Sequence, residues 1–148
     1  MYQKLEEIYN YYKVPKLFNT SGQPTKEQLI LLAKNRYEVV INLALKSQIG
    51  SFEINENKIL KSQKVKYIHI PVDFDNPTQL NFNEFVKTIQ KFENKKIWVH
   101  CKANMRVSSF VYKYRRDILN LDHNEIFSDM KVIWSPNDVW NSFLGLKK

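Results

Sequence analysis

The residues best suited to chemistry lie together in Ile97-Trp98-Val99-His100-Cys101-Lys102-Ala103-Asn104-Met105-Arg106-Val107-Ser108. A short apolar run leads to the chain's single cysteine, and a small polar loop follows it. Phe110, Val111 and Tyr114 then continue at helical spacing. A strand that ends in a cysteine and turns at once into a helix aims loop amides and the helix start at one spot. Both favour negative charge there. The same field lowers a thiol pKa and holds an oxyanion such as phosphate. A lone cysteine is ordinarily a small buried hydrophobe. Cys101, however, has His100 before it, Arg106 in its loop and Ser108 at the start of the helix. A core cysteine has no use for such neighbours.

Several elements must position this stretch. Tyr37 to Leu43 is a near-continuous apolar run, the pattern of a strand covered on both faces. Val65 to Val72 reads as a second strand and Lys96 to His100 as a third. Between them, Leu80 to Phe92 carries Phe82, Phe85, Val86, Ile89 and Phe92 on one helical face. Upstream, Thr25 opens a helix with Gln28 as its capping-box partner. Phe18 to Pro24 is turn chemistry, and a short helix is expected over 57–62. Tyr2 to Lys13 places Leu5, Ile8, Tyr9 and Tyr12 at helical spacing and predicts an N-terminal helix within residues 1–16. Two further helices close the chain, the last capped by Ser135 with Pro136 in its first turn. Strands alternating with helices predict an α/β fold, a central mostly parallel sheet with helices on both faces. Ligands on such sheets bind beyond the carboxyl ends of the strands, where Cys101 falls.

The 148 residues, 43% hydrophobic and 26% charged, fit one soluble domain spanning 1–148. Neither a signal peptide nor a stretch of membrane-spanning length is evident. The single cysteine fits a reducing cytoplasm. A net charge of +8 attracts anions. The lysines are scattered, which reads as a solvated surface rather than a nucleic-acid stripe. Neither nucleic acid nor membrane is therefore an expected partner. Three separated histidines and one cysteine make no metal site, and no organic cofactor is called for.

His100-Cys101, the loop with its arginine, and Ser108 resemble the signature of cysteine-dependent protein phosphatases of the dual-specificity type. The likeness extends to Ser21-Gly22-Gln23-Pro24-Thr25, Val39-Val40-Ile41-Asn42-Leu43 and Ile68-His69-Ile70-Pro71-Val72-Asp73. Together these are similar to the small bacterial phosphatase-like group related to the domain fused to β-lactamase-like hydrolases. The phosphatase signature sets its arginine one residue further on. Only four residues separate Cys101 from Arg106, so Val107 occupies the arginine's slot. Asn104 stands where a glycine is usual.

The resemblance implies a protein-tyrosine-phosphatase-like fold and attack of the Cys101 thiolate on the phosphorus of a phosphorylated substrate. Lys102, Ala103, Asn104, Met105, Arg106 and Val107 would form the phosphate-binding loop, its amides and arginine holding the phosphate oxygens. His100 would orient the loop, and Ser108 would ease departure of the thiolate, or it caps the helix. The general acid comes from the loop after the preceding strand, here Val72-Asp73-Phe74-Asp75-Asn76-Pro77-Thr78. Asp73 fits the strand-end register and stands slightly ahead of Asp75. Either also suits a turn former. The short spacing leaves two other readings open. One is a domain that binds phosphate without hydrolysing it. The other is a rhodanese-like sulfurtransferase, whose loop uses the shorter spacing.

Overall fold

The computed structural model describes residues 4–146. Its centre is a five-stranded sheet in the order β1-β2-β7-β3-β6, formed by β1 (Tyr12–Lys13), β2 (Asn19–Ser21), β3 (Val39–Asn42), β6 (Lys66–His69) and β7 (Ile97–His100). β2, β7, β3 and β6 run parallel, and only β1 is antiparallel, on the edge beside β2. Every residue of β3 and of β7 is buried, as expected of central strands with helices on both faces. A small hairpin, β4 (Gln48–Ile49) with β5 (Phe52–Glu53), fills the connection after β3.

Two apolar clusters sandwich the sheet. On one face α1 (Lys26–Lys34) and α2 (Glu56–Ser62) pack Leu29, Leu32 and Leu60 on Val40 and Trp98. On the other, α3 (Gln79–Lys91), α4 (Met105–Asp117) and α6 (Asp138–Leu144) bring Phe82, Phe85, Phe110 and Trp140 against Ile41 and Val99. α5 (His123–Ile133) lies along α4, where Asp129 pairs with Arg115 at 2.6 Å. The central helix α4 is buried over most of its length because sheet, α3, α5 and α6 all meet on it. This arrangement is the α/β sheet that alternating strands and helices predict. No helix among the described residues is long and apolar enough to cross a membrane.

Four local expectations are corrected. The N-terminal helix expected within residues 1–16 is a single 3-10 turn, Leu5–Glu7, followed by strand β1; residues 1–3 of that segment lie outside the described residues. Asn10 takes φ +50° and turns the chain. Ile8 then packs under α1, Tyr9 faces solvent and Tyr12 joins the sheet, so a helical spacing serves three destinations. The turn chemistry of Phe18–Pro24 contains β2, which is too short for a period of two to register. The last helix is capped by Asn137, whose side chain accepts the N–H of Trp140, while Ser135 Oγ takes a hydrogen bond from Lys131. Pro136 thus precedes the helix instead of opening it. Finally, α4 starts at Met105, ahead of Ser108 and Ser109, which sit inside its first turns and bond back to the Met105 carbonyl.

Candidate active site

β7 delivers His100 and Cys101 to the carboxyl edge of the sheet, between β2 and β3. The Cys101 amide still belongs to the sheet, donating to the Ser21 carbonyl at 3.3 Å. From Lys102 onward the backbone leaves the sheet and enters α4 after three residues. The Lys102 carbonyl turns outward to accept from Gln23 N at 2.9 Å, and the Ala103 carbonyl accepts from Asn10 Nδ2 at 3.0 Å. Among the described residues, no acceptor takes the backbone N–H groups of Lys102, Ala103, Asn104, Met105, Arg106 or Val107. Asn104, at the N-cap position, adopts φ +64° and makes no side-chain cap. A run of free amides thus starts beside Cys101 and ends in the first turn of a helix, and such ends concentrate positive potential. Cys101 itself is only 1% exposed, at the base of this turn.

Gly22 explains how the loop above β2 approaches so closely. A Cβ there would stand 2.6 Å from the Lys102 carbonyl oxygen and 3.2 Å from the Ala103 Cα. Only a glycine lets the two backbones lie side by side.

Beneath the loop lies a buried ion pair that the sequence does not advertise. His100 Nε2 donates to Glu56 Oε2 at 2.5 Å, with both side chains out of solvent, and the His100 Nδ1 faces the Cys101 carbonyl at 3.3 Å. Glu56 Oε1 accepts from Ser47 Oγ at 2.8 Å and from Gln23 Nε2 at 3.2 Å. Burial pushes the Glu56 carboxyl up, but the His100 charge and the three donated hydrogen bonds outweigh it and hold the group below its ordinary value. Glu56 stays an anion, so His100 is held in one orientation at the root of the loop. Polar residues at a helix start are common, and the Asn55-Glu56 pair reads as nothing more until the fold sets α2 over β7.

The four-residue spacing has a clear structural outcome. Val107 is fully buried in the core beside Cys101 and Phe110. Arg106 falls on the neighbouring side of α4, 9% exposed, and reaches the β6–α3 loop. Its Nη1 donates to the Val72 carbonyl at 3.0 Å, and its guanidinium carbon lies 5.9 Å from the centroid of the Phe74 ring. The loop that carries Asp73 and Asp75 is therefore tied to the loop that carries Cys101. Phe74 turns inward onto Trp134 and Trp140 and leaves both aspartates exposed. Asp73 Oδ1 accepts from the Asp75 amide at 2.9 Å and so shapes the turn, whereas the Asp75 carboxylate has no partner among the described residues.

The structure does not bring Ser108 into hydrogen-bond contact with Cys101. Its hydroxyl donates to the Met105 carbonyl at 3.1 Å, and its side chain borders a small gap shared with Tyr12, Thr20 and Met130. His69 ends β6 at the surface, its Nε2 against the Ala44 carbonyl at 2.6 Å. Among the described residues, no three His, Cys, Asp or Glu side chains gather as metal ligands.

Residues 6–133 match the family model of PTP-NADK, the DSP-PTPase phosphatase fused to NAD+ kinase. Among solved structures, the DUF442 protein of Shewanella putrefaciens CN-32 is 27% identical, with a TM-score of 0.78 over 95% of this chain and 92% of that one. PTPMT1 in complex with PI(5)P shares the fold at 20% identity, with a TM-score of 0.73 over 90% of this chain and 91% of its own. TpbA of P. aeruginosa in complex with pTyr shares it at 16% identity, with a TM-score of 0.67 over 88% and 76%. No curated protein matches.

Proposed function

The chain belongs to the PTP-NADK family of DSP-PTPase phosphatases and is a hydrolase of the dual-specificity phosphatase type, and we propose that it cleaves phosphate monoesters through a phosphocysteine on Cys101. The observation that carries this reading is the run of six amides, Lys102 to Val107, that have no acceptor among the described residues and lead from Cys101 into α4. Such amides suit a phosphate dianion in the substrate and the added charge on its equatorial oxygens in the transition state. Arg106 keeps further N–H donors beyond the one given to Val72, and these suit a bidentate grip on the same oxygens.

In the first step Cys101 Sγ forms a bond to phosphorus while the bond from phosphorus to the leaving oxygen breaks. That oxygen takes a proton from an aspartic acid of the β6–α3 loop. Asp75, whose carboxylate has no partner among the described residues, suits the task better than Asp73, which is engaged in its own turn. In the second step water attacks phosphorus and gives its proton back to the aspartate. The phosphorus–sulfur bond breaks and the thiolate returns. Glu56 and His100 serve by holding the Cys101 carbonyl, and Ser108 acts through the helix turn rather than at the sulfur.

The substrate class is a phosphoprotein or a small phosphorylated molecule, in keeping with the pTyr and PI(5)P carried by two structural neighbours. Hydrolysis of a generic aryl phosphate by the wild type and by Cys101→Ser, Arg106→Met, Asp75→Asn and Asp73→Asn tests the reading. Loss in the first two, and a larger loss for Asp75→Asn than for Asp73→Asn, is the expected pattern. Tungstate binding without turnover would instead leave a phosphate-binding domain. Absence of both, with sulfur transfer from thiosulfate to cyanide, would replace the phosphatase.

A further inference from the structure

The outward carbonyls of the loop need holding, since a peptide whose N–H must face an anion turns its C=O away from it. A carbonyl left free to swing can carry its neighbour's amide out of line. The Lys102 carbonyl is held by Gln23 N, the Ala103 carbonyl by a residue that precedes the sheet, and two further bonds hold the Asn104 side chain. Asn10 donates through Nδ2 to the Ala103 carbonyl at 3.0 Å, and its own carbonyl accepts from Asn104 Nδ2 at 2.9 Å. The same Asn104 amide reaches Thr20 Oγ1 at 3.0 Å, which donates to the Tyr12 carbonyl at 2.7 Å. Both asparagines sit at positive φ, +50° for Asn10 and +64° for Asn104, where asparagine is among the few residues at ease. Each asparagine side chain thus donates to a backbone carbonyl across the gap, Asn10 to Ala103 and Asn104 to Asn10, the latter spanning 94 residues of chain.

We infer that Asn10 is a positioning residue for catalysis, clamping the phosphate-binding loop through the Ala103 carbonyl and the Asn104 side chain so that its amides converge above Cys101. This rests on the phosphatase reading but adds to it a part for the segment before the sheet. It also accounts for an asparagine where the resemblance leads one to expect glycine. Position 104 needs left-handed backbone, and asparagine supplies that together with an amide that grips Asn10.

Asn10→Gly is the informative change, because glycine accepts φ +50° without strain and removes only the side-chain donor. Asn104→Gly is its counterpart on the other side of the clamp. The measurements are kcat and KM for an aryl phosphate, tungstate affinity by calorimetry, melting temperature, and hydrogen exchange of the amides at 102–105. The clamp predicts that each variant stays folded, with kcat and tungstate affinity both reduced about three- to tenfold, as one net hydrogen bond allows, and with faster exchange confined to the loop. An active wild type whose kcat, tungstate affinity and loop exchange are unchanged in folded variants would overturn the inference. Should the wild type itself fail to hydrolyse the ester, the phosphatase reading fails separately. Loop exchange then decides the clamp alone: acceleration in the variants supports it and unchanged exchange overturns it.

Discussion

Two helices leave adjacent parallel strands at the same edge of the sheet, and they begin in opposite ways. α1 follows β2 and is closed by its own side chains. Thr25 Oγ1 accepts from Gln28 N at 3.1 Å, while Gln28 Oε1 accepts from Thr25 N at 2.9 Å. α4 follows β7 with no cap, its Asn104 side chain turned back to Asn10 and Thr20. In the first turn of α1 the capping box takes the Gln28 amide and ties the turn to its own N-cap. The first turn of α4, among the described residues, leaves its amides without acceptors. The contrast teaches that a helix start keeps its donors free when the chain spends its capping side chain elsewhere, which is what the proposed phosphate site requires.

Each prediction presses on that contrast. The largest effect belongs to Cys101→Ser, which removes the proposed nucleophile and should lower kcat for an aryl phosphate by about a thousandfold or more. Tungstate should still bind, because the amides remain. Arg106→Met should follow, with a loss of about a hundredfold or more in kcat/KM. Retained activity in that variant would assign the whole phosphate grip to the amides of α4.

Glu56→Gln strikes the support beneath the loop. Replacing the buried Glu56 carboxylate weakens its hydrogen bonds from His100, Ser47 and Gln23 and costs about 2–3 kcal/mol, read as a fall in denaturant midpoint. The pair also predicts a pH dependence. The folded carboxyl titrates below its ordinary value of 4.5, so its stabilisation is fully present above that value and fades as pH drops through and below it. Melting temperatures between pH 6 and pH 3 should fall more steeply for wild type than for Glu56→Gln, and parallel slopes would count against the assignment.

The smallest effect tests the closed helix. Thr25→Ala should cost about 1 kcal/mol of stability and leave kcat and KM as they were. A kinetic effect there would show that the two helix starts are less separate in function than their capping suggests.

Much of this was legible in the chain itself. The all-buried strands β3 and β7 announce themselves through near-continuous apolar runs, because a strand covered on both faces has no reason to alternate. The capping box at Thr25 and the amphipathic α3 are local patterns, and both stand where expected. The misread places are those whose conformation depends on a distant partner. Residues 5–12 carry a helical spacing, yet edge pairing with β2 and the left-handed turn at Asn10 divide them. Ser108 keeps the register of a family serine, but the early start of α4 directs its hydroxyl into the helix.

The sequence by itself determined the α/β sheet, the cysteine at its carboxyl edge and the pair of aspartates after the neighbouring strand, since each is written in contiguous residues and short-range physics. Tertiary structure alone decided what the short spacing does. It sends Val107 into the core and Arg106 across to Val72. It sets Glu56 under His100 across 44 residues, and it closes Asn10 over the loop. A hydrogen bond between residues so far apart leaves no periodicity or spacing in the chain. It exists only once the sheet has brought both ends to one edge, and for Glu56 and His100 the burial there adds the low dielectric that strengthens it.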